Sequence, residues 1–330
     1  MKIVSYSCKP YDKKALIQVF DASWDSLYLD VLLDLDTLAY AHGAEVVSAF
    51  VNDRLDAKVL KILAEGGTRL IALRCAGFNQ VDLQAASDVG ISVVRVPAYS
   101  PYAVAEHTVG LMLALNRKLY RAYNRVREGN FSLNGMLGFD MHGKTVGIIG
   151  AGRIGRLVGK MLKAFGCQVL VYDPFECHAC QELELEQVDL ESIWAQSDII
   201  SLHCPLTPES THIIDTDSIA KMKTGVMLIN TGRGALMATQ AVIEGLKSQK
   251  IGYLGLDVYE KEGALFFEDH STEIIQDDMF ERLLTFPNVL ITGHQAYFTQ
   301  EALSHIAKTT AENIKAFQTK QPLINAVKVE

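Results

Sequence analysis

The sequence predicts an α/β protein built from two doubly wound parallel sheets, and three observations predict it. Strand-like apolar runs alternate with helix-like segments almost from end to end, which is the pattern of parallel strands joined by crossover helices. A glycine-spaced turn in mid-chain, Gly150-Ala151-Gly152-Arg153-Ile154-Gly155, separates one apolar run from the helical segment after it. The first hundred residues show the same alternation without such a turn, so they read as a separate, flavodoxin-like unit.

In chain order, strands are expected near residues 2–6, 45–48, 69–73 and 91–94, with helical patterns filling the gaps. A long helix is expected from Pro101 to about Arg127, because proline suits a first turn and Gly129 can stop it. Residues 145–149 read as a buried strand, followed by the glycine turn and a helix over 153–165. Further strands are expected at 168–172, 198–202, 226–230, 253–257 and 289–292. A last helix from Thr299 to about Gln318 comes after these strands and is free to return to the first unit. The expected organisation is a discontinuous outer domain, residues 1–99 plus 297–330, around a continuous domain of residues 100–296. Two chain crossings would make a hinge over a cleft, where ligands bind and closure excludes water.

The glycine turn has a specific chemistry. Gly150 allows the tight turn, Gly152 lets a pyrophosphate approach the backbone, and Gly155 lets helix and strand pack closely. Arg153 and Ile154 open a helix whose N-terminus offers free N–H groups and a positive dipole end to phosphates. Asp173 ends the next strand, where a carboxylate accepts from ribose hydroxyls and repels a 2′-phosphate. Together these make a Rossmann dinucleotide-binding domain that favours NAD.

Composition narrows the remaining possibilities. A chain of 330 residues is long enough for two cored domains. A formal net charge of −8 argues against non-specific nucleic-acid binding. No apolar run is long enough to span a bilayer, so no membrane role is expected. The chain starts as a strand, and Lys13-Lys14 interrupts any signal-peptide pattern, which points to the cytoplasm. The six cysteines fit a reducing compartment and do not look like a disulfide framework. Cys177-His178-Ala179-Cys180 lacks a second half with metal-ligand spacing, so it reads as a surface loop and no metal is expected.

Ligands of open α/β sheets bind beyond the carboxyl ends of the strands. Those ends offer residues 74–79, 97–100, 203–205, 230–234, 257–262 and 293–295. Hydride transfer to a keto acid needs a cation for its carboxylate, a proton donor for its oxygen, and a group that keeps the donor protonated. Arg233 fits the first role through its planar fork. His294 fits the second, since imidazole gives and recovers protons near neutral pH. Glu262 fits the third, since a nearby carboxylate stabilises imidazolium and fixes its tautomer, but Glu260 competes for it.

Together these residues resemble the D-isomer-specific 2-hydroxyacid dehydrogenase family over essentially the whole chain. The resemblance is carried by the glycine turn with Asp173, Leu202-His203-Cys204-Pro205-Leu206-Thr207, Asn230-Thr231-Gly232-Arg233-Gly234, residues 257–262 and Gly293-His294. It implies the catalytic set His294, Glu262 and Arg233, choosing Glu262 over Glu260, and it makes His203 a cofactor wall rather than the acid. It implies cofactor contacts from Cys204, Pro205, Thr231, Gly232 and Arg233, with Asp257 near the nicotinamide. It assigns the substrate carboxylate to the Ala76 and Gly77 amides as well as Arg233, and the substrate pocket walls to Tyr99 and Tyr297. Gly232 stands where relatives often carry serine or alanine, and Tyr297 where they more often carry phenylalanine.

Residues 265–269, the long stretch from Glu262 to His294 and Gly293-His294-Gln295-Ala296 resemble the branch acting on pyruvate. The implied reaction is reversible reduction of pyruvate by NADH to D-lactate, with no metal. Larger or phosphorylated 2-keto acids are the alternative substrates, and an NAD-sensing peptide-binding module is the alternative from another class. The resemblance also implies a homodimer or homotetramer formed through the NAD-binding domain. Ala105, Val109, Met112, Leu113 and Asn116 offer a face at helical spacing, which could equally pack into its own domain.

Overall fold

Short runs rich in Val, Ile and Leu form strands buried on both faces, as parallel sheets covered by helices require. Val46–Ala49, Leu70–Leu73, Ile199–Leu202 and Val226–Asn230 are buried along their whole length. The computed structural model describes residues 1–328. It divides into two compact units, one of Met1–Ser100 with the segment from Phe298 onward, the other Pro101–Tyr297.

The first unit starts with β1 (Lys2–Ser5), α1 (Pro10–Ile17), β2 (Asp25–Tyr28), β3 (Val46–Ala49) and α2 (Ala57–Glu65). It continues with β4 (Leu70–Leu73), α3 (Leu83–Asp88) and β5 (Ser92–Val94). The sheet is parallel with order β2-β1-β3-β4-β5, the flavodoxin-like order with its switch point between β1 and β3. Asp56 and Asp82 cap α2 and α3 by accepting backbone N–H groups.

The second unit runs α4 (Pro101–Arg117), α5 (Leu119–Arg127), β6 (Thr145–Ile149), α6 (Arg153–Ala164), β7 (Gln168–Tyr172) and α7 (His178–Glu182). Next come β8 (Glu186–Gln187), α8 (Leu190–Gln196), β9 (Ile199–Leu202), α9 (Thr216–Lys221) and β10 (Val226–Asn230). It ends with α10 (Thr239–Lys247), β11 (Ile251–Leu256), α11 (Asp278–Leu284) and β12 (Val289–Ile291). Its seven parallel strands lie in the order β12-β11-β10-β9-β6-β7-β8, so the winding reverses between β6 and β9. One core lies under α8 to α11, the other under α4, α6 and α7. The last helix, α12 (Gln300–Gln318), belongs to the first unit, where Ile314 packs with Ile3, Val46, Leu70 and Val94. No described helix is long and apolar enough to cross a membrane.

The structure departs from the sequence reading in four places. Strand β2 was not expected: at the sheet edge, Asp25-Ser26-Leu27-Tyr28 is exposed or half-buried throughout and lacks an apolar run. The two-residue β8, exposed at the other sheet's edge, was missed for the same reason. The long helix after Pro101 is two helices, because Lys118 turns left-handed (φ +51°) and ties its Nζ to the Gly135 and Leu137 carbonyls. Residues 177–180 are not a surface loop: Cys177 and Cys180 are buried and disulfide-bonded, and α7 begins between them. Of the two readings open for Ala105, Val109, Met112, Leu113 and Asn116, packing into their own unit is the one observed: four are buried there and Leu113 is half-buried against the same core.

Candidate active site

The candidate residues of the second unit stand in loops just past strand carboxyl ends, where ligands of such sheets bind. Gly150 (φ +105°) follows β6, and a side chain there would collide with the backbone of His203 and Cys204. A Cβ on Gly155 would collide with the Gly150 carbonyl, while Gly152 faces open space. Gly152 is also the uncapped N-cap of α6, so the N–H groups of the first turn, including Arg153 and Ile154, have no side chain competing for them. Asp173 follows β7, its carboxylate accepting the Ala151 amide at 2.8 Å and the Phe175 amide at 3.1 Å. An open glycine, an uncapped helix start and a braced carboxylate together fit a dinucleotide.

After β9, His203 lies 2.8 Å from the Ser201 hydroxyl, and burial pushes its imidazole down to about 4. It is therefore neutral near pH 7 and has no proton of acidic character to give. Burial pushes the neighbouring Cys204 thiol up to about 11, which makes it an unreactive wall beside Pro205.

The loops after β11 and β12 bring Glu262 and His294 together. His294 Nδ1 lies 2.7 Å from Glu262 Oε1, and Glu262 Oε2 accepts the Tyr259 amide at 2.9 Å. A carboxylate only accepts, so Nδ1 is the donor and Nε2 is left for another partner. Glu260, two residues earlier, is engaged elsewhere: it pairs with His212 at 2.7 Å and accepts the Thr239 hydroxyl at 2.7 Å. The Phe267 ring centroid is 5.5 Å from that of His294, and Tyr297, nearly buried, meets His294 edge-on at 6.5 Å.

Past β10, the buried Asn230 side chain accepts the Gly232 amide and donates to the Arg233 carbonyl, at 3.0 and 2.9 Å, which folds the loop. Arg233 is half-buried and gives one Nη1 proton to the Gly232 carbonyl. Gly234 lies directly on the backbone of Tyr259 and Glu260, where any Cβ would collide, so the Arg233 loop abuts the loop bearing Glu262. At Gly232 a Cβ would meet its neighbours at 3.5 Å or more. The departure from serine or alanine there is sterically neutral. Thr231 is buried, its hydroxyl 2.9 Å from that of Thr108.

In the first unit, Ala76 and Gly77 follow β4, and neither amide makes a hydrogen bond among the described residues. The Ala76 carbonyl accepts Arg95 Nη1 at 2.8 Å, so the Gly77 N–H, on the opposite edge of that trans peptide, points the other way. Tyr99 is half-buried, and its carbonyl is 2.7 Å from His305 Nδ1. Arg74, at the same strand end, is fully buried and committed to the Tyr6 and Ser7 carbonyls and the Ser48 hydroxyl. Arg95 was not singled out from the sequence, and Phe267 only as part of the run 265–269, since no spacing rule connects Arg95 to Ala76 or Phe267 to His294.

The chain is similar to known proteins over nearly its whole length. Residues 109–296 match the family model described as the D-isomer specific 2-hydroxyacid dehydrogenase, NAD binding domain. The D-lactate dehydrogenase of Escherichia coli is 53% identical over 315 residues, covering 95% of this chain and 96% of that one. The solved structure of a pyruvate reductase of Chlamydomonas reinhardtii is 46% identical with a TM-score of 0.94, covering 98% of both chains. The apo structure of the Escherichia coli D-lactate dehydrogenase superposes with a TM-score of 0.91, over 99% of this chain and all of the other.

Proposed function

The chain belongs to the D-isomer-specific 2-hydroxyacid dehydrogenase family, and from that premise we propose that it reduces pyruvate to D-lactate with NADH, reversibly. The observation that carries the reading is the His294–Glu262 pair, anchored by the Tyr259 amide, with His294 Nε2 making no hydrogen bond among the described residues. Bound NADH supplies a hydride to the keto carbon. His294 gives its Nε2 proton to the keto oxygen, and Glu262 holds the resulting imidazole by accepting from Nδ1. Arg233 binds the carboxylate and polarises the carbonyl, so the developing alkoxide meets a preorganised cation. The Ala76 and Gly77 amides, which make no hydrogen bond among the described residues, are donors of the kind a carboxylate takes. Phe267 and Tyr297 flank His294 and so bear on which keto acids fit.

The test is NADH oxidation with pyruvate beside 2-ketoisocaproate, phenylpyruvate, glyoxylate, oxaloacetate and 3-phosphohydroxypyruvate, with product chirality read on the best. Pyruvate should dominate and yield D-lactate. Another keto acid winning would keep the mechanism and change the substrate. Tight NADH binding with no turnover on any of them would favour a nucleotide-sensing binding module.

Glu262 accepts from His294 Nδ1 and so sets which ring nitrogen faces the substrate. Glu262→Gln should therefore lower kcat for the best keto acid while leaving NADH affinity unchanged. A variant with wild-type kcat would break the pairing.

We also propose a homo-oligomer formed through the NAD-binding domain. Leu119, Tyr123 and Val126 form an exposed stripe on α5, and Phe131, Leu133 and Leu137 beyond it are 73%, 83% and 86% exposed. So much apolar surface in one segment suits an interface with a second copy. Replacing Phe131, Leu133 and Leu137 together by Asp should lower the sedimenting mass to that of one chain. An unchanged mass would place the contact elsewhere. We assign the protein to the cytoplasm, where NADH is available to it.

A further inference from the structure

Helix α4 carries two adjacent polar side chains toward the strand ends of the second unit, and one of them reaches the loop of His294. Thr108 donates to the Val104 carbonyl of its own helix and meets the Thr231 hydroxyl. His107, only 21% exposed, lies with Nε2 3.1 Å from Thr292 Oγ1 and 3.5 Å from Asp257 Oδ1. Thr292, just past β12, donates its hydroxyl proton to Asp257 Oδ1. That donation leaves Thr292 only lone pairs to offer His107, and a carboxylate can only accept. Nε2 of His107 therefore bears a proton and is the donor.

Asp257 has no exposed surface, and it holds the His294 loop from both sides. Its backbone carbonyl accepts the His294 amide at 2.7 Å. Its carboxylate accepts the Gln295 amide on Oδ1 at 2.9 Å and the Ala296 amide on Oδ2 at 2.8 Å. His294 itself sits in the left-handed region (φ +52°), which few non-glycine residues adopt without such support. His107 is thus the outermost donor of a chain that passes through Thr292 and Asp257 to the backbone on which His294 is mounted.

We propose that His107 is a positioning residue of the proton-transfer site, holding His294 in register with Glu262 through Thr292 and Asp257. The inference rests on the reading of His294 as the proton donor. A small displacement of such a group costs turnover steeply, since a misplacement of about 1 Å is worth roughly 100-fold.

The experiment compares His107→Leu, which removes the donor, with His107→Gln, whose amide can donate from nearly the same place. Three readouts are taken: kcat and KM for pyruvate, NADH affinity by fluorescence titration, and the NMR position of the His294 ring resonance. The His294 resonance is identified as the one lost in His294→Gln. His107→Leu should lower kcat by roughly 10- to 100-fold with KM for pyruvate and NADH affinity unchanged, and the His294 ring resonance should move from its wild-type position. His107→Gln should recover most of both. Wild-type kcat and an unmoved His294 resonance in His107→Leu would overturn the proposal. So would equal loss in both variants, which would make His107 a packing residue. If the wild type reduces no 2-keto acid, the reading of His294 fails instead, and the ring resonance alone then decides whether His107 positions it.

Discussion

Replacing His294 by glutamine is expected to lower turnover of the best keto acid by roughly a hundred- to ten-thousand-fold, the range that a positioned proton donor contributes, and to leave NADH binding intact. Glutamine can still donate an amide proton to Glu262 and fill most of the space beside Phe267 and Tyr297, so the loop should keep its shape. It has no titratable proton to give to the keto oxygen. No neighbouring imidazole can take over. His203 is pushed down to about 4 by burial and is neutral at working pH. His212 is paired with Glu260, and His107 is turned toward Thr292 and Asp257. The measurement is single-turnover NADH oxidation beside fluorescence titration of NADH binding. A variant that turns over normally would remove His294 from the mechanism. One that loses turnover and NADH binding together would show instead a collapsed loop.

The sequence was most informative where chemistry demands residues close together in the chain. A pyrophosphate needs glycines at fixed spacing before a helix, so Gly150, Gly152 and Gly155 could be picked out with Asp173; in the structure a Cβ would collide at Gly150 and Gly155, while Gly152 faces open space. It was least informative where function depends on contacts made across the fold. Spacing alone left Glu260 and Glu262 as rivals. Only the meeting of the β11 and β12 loops sends one to His294 and the other to His212 and Thr239. Asp257 could be named as a candidate, but not its grip on Gln295 and Ala296, which links residues 38 and 39 positions apart. Exposed edge strands carry too little apolar signal to find, as β2 shows. The break at Lys118 depends on carbonyls well beyond the helix it ends.

Arg233→Lys should cost roughly two to three orders of magnitude in kcat/KM for pyruvate, the scale for losing a hydrogen-bonded charge partner at a desolvated contact, again with NADH affinity nearly unchanged. The reason lies in what the loop leaves available. Arg233 gives one Nη1 proton to the Gly232 carbonyl, which fixes the plane of the guanidinium, and no other N–H of the group has a partner among the described residues. A planar fork in a fixed plane can meet a carboxylate through two parallel hydrogen bonds, whereas an ammonium presents a point charge on a flexible stem. Lysine preserves the charge, so general attraction of the anion survives and the loss falls on its orientation. The Asn230 clamp and the contact of Gly234 with the Tyr259–Glu260 backbone do not involve the replaced side chain. The loop should therefore stand, and its thermal unfolding should match wild type. Steady-state kinetics across pyruvate concentration, beside that melting curve, separate the outcomes. A large fall in kcat/KM with an unchanged melt fits carboxylate recognition by the fork. Unchanged pyruvate kinetics would reduce Arg233 to a former of its own turn.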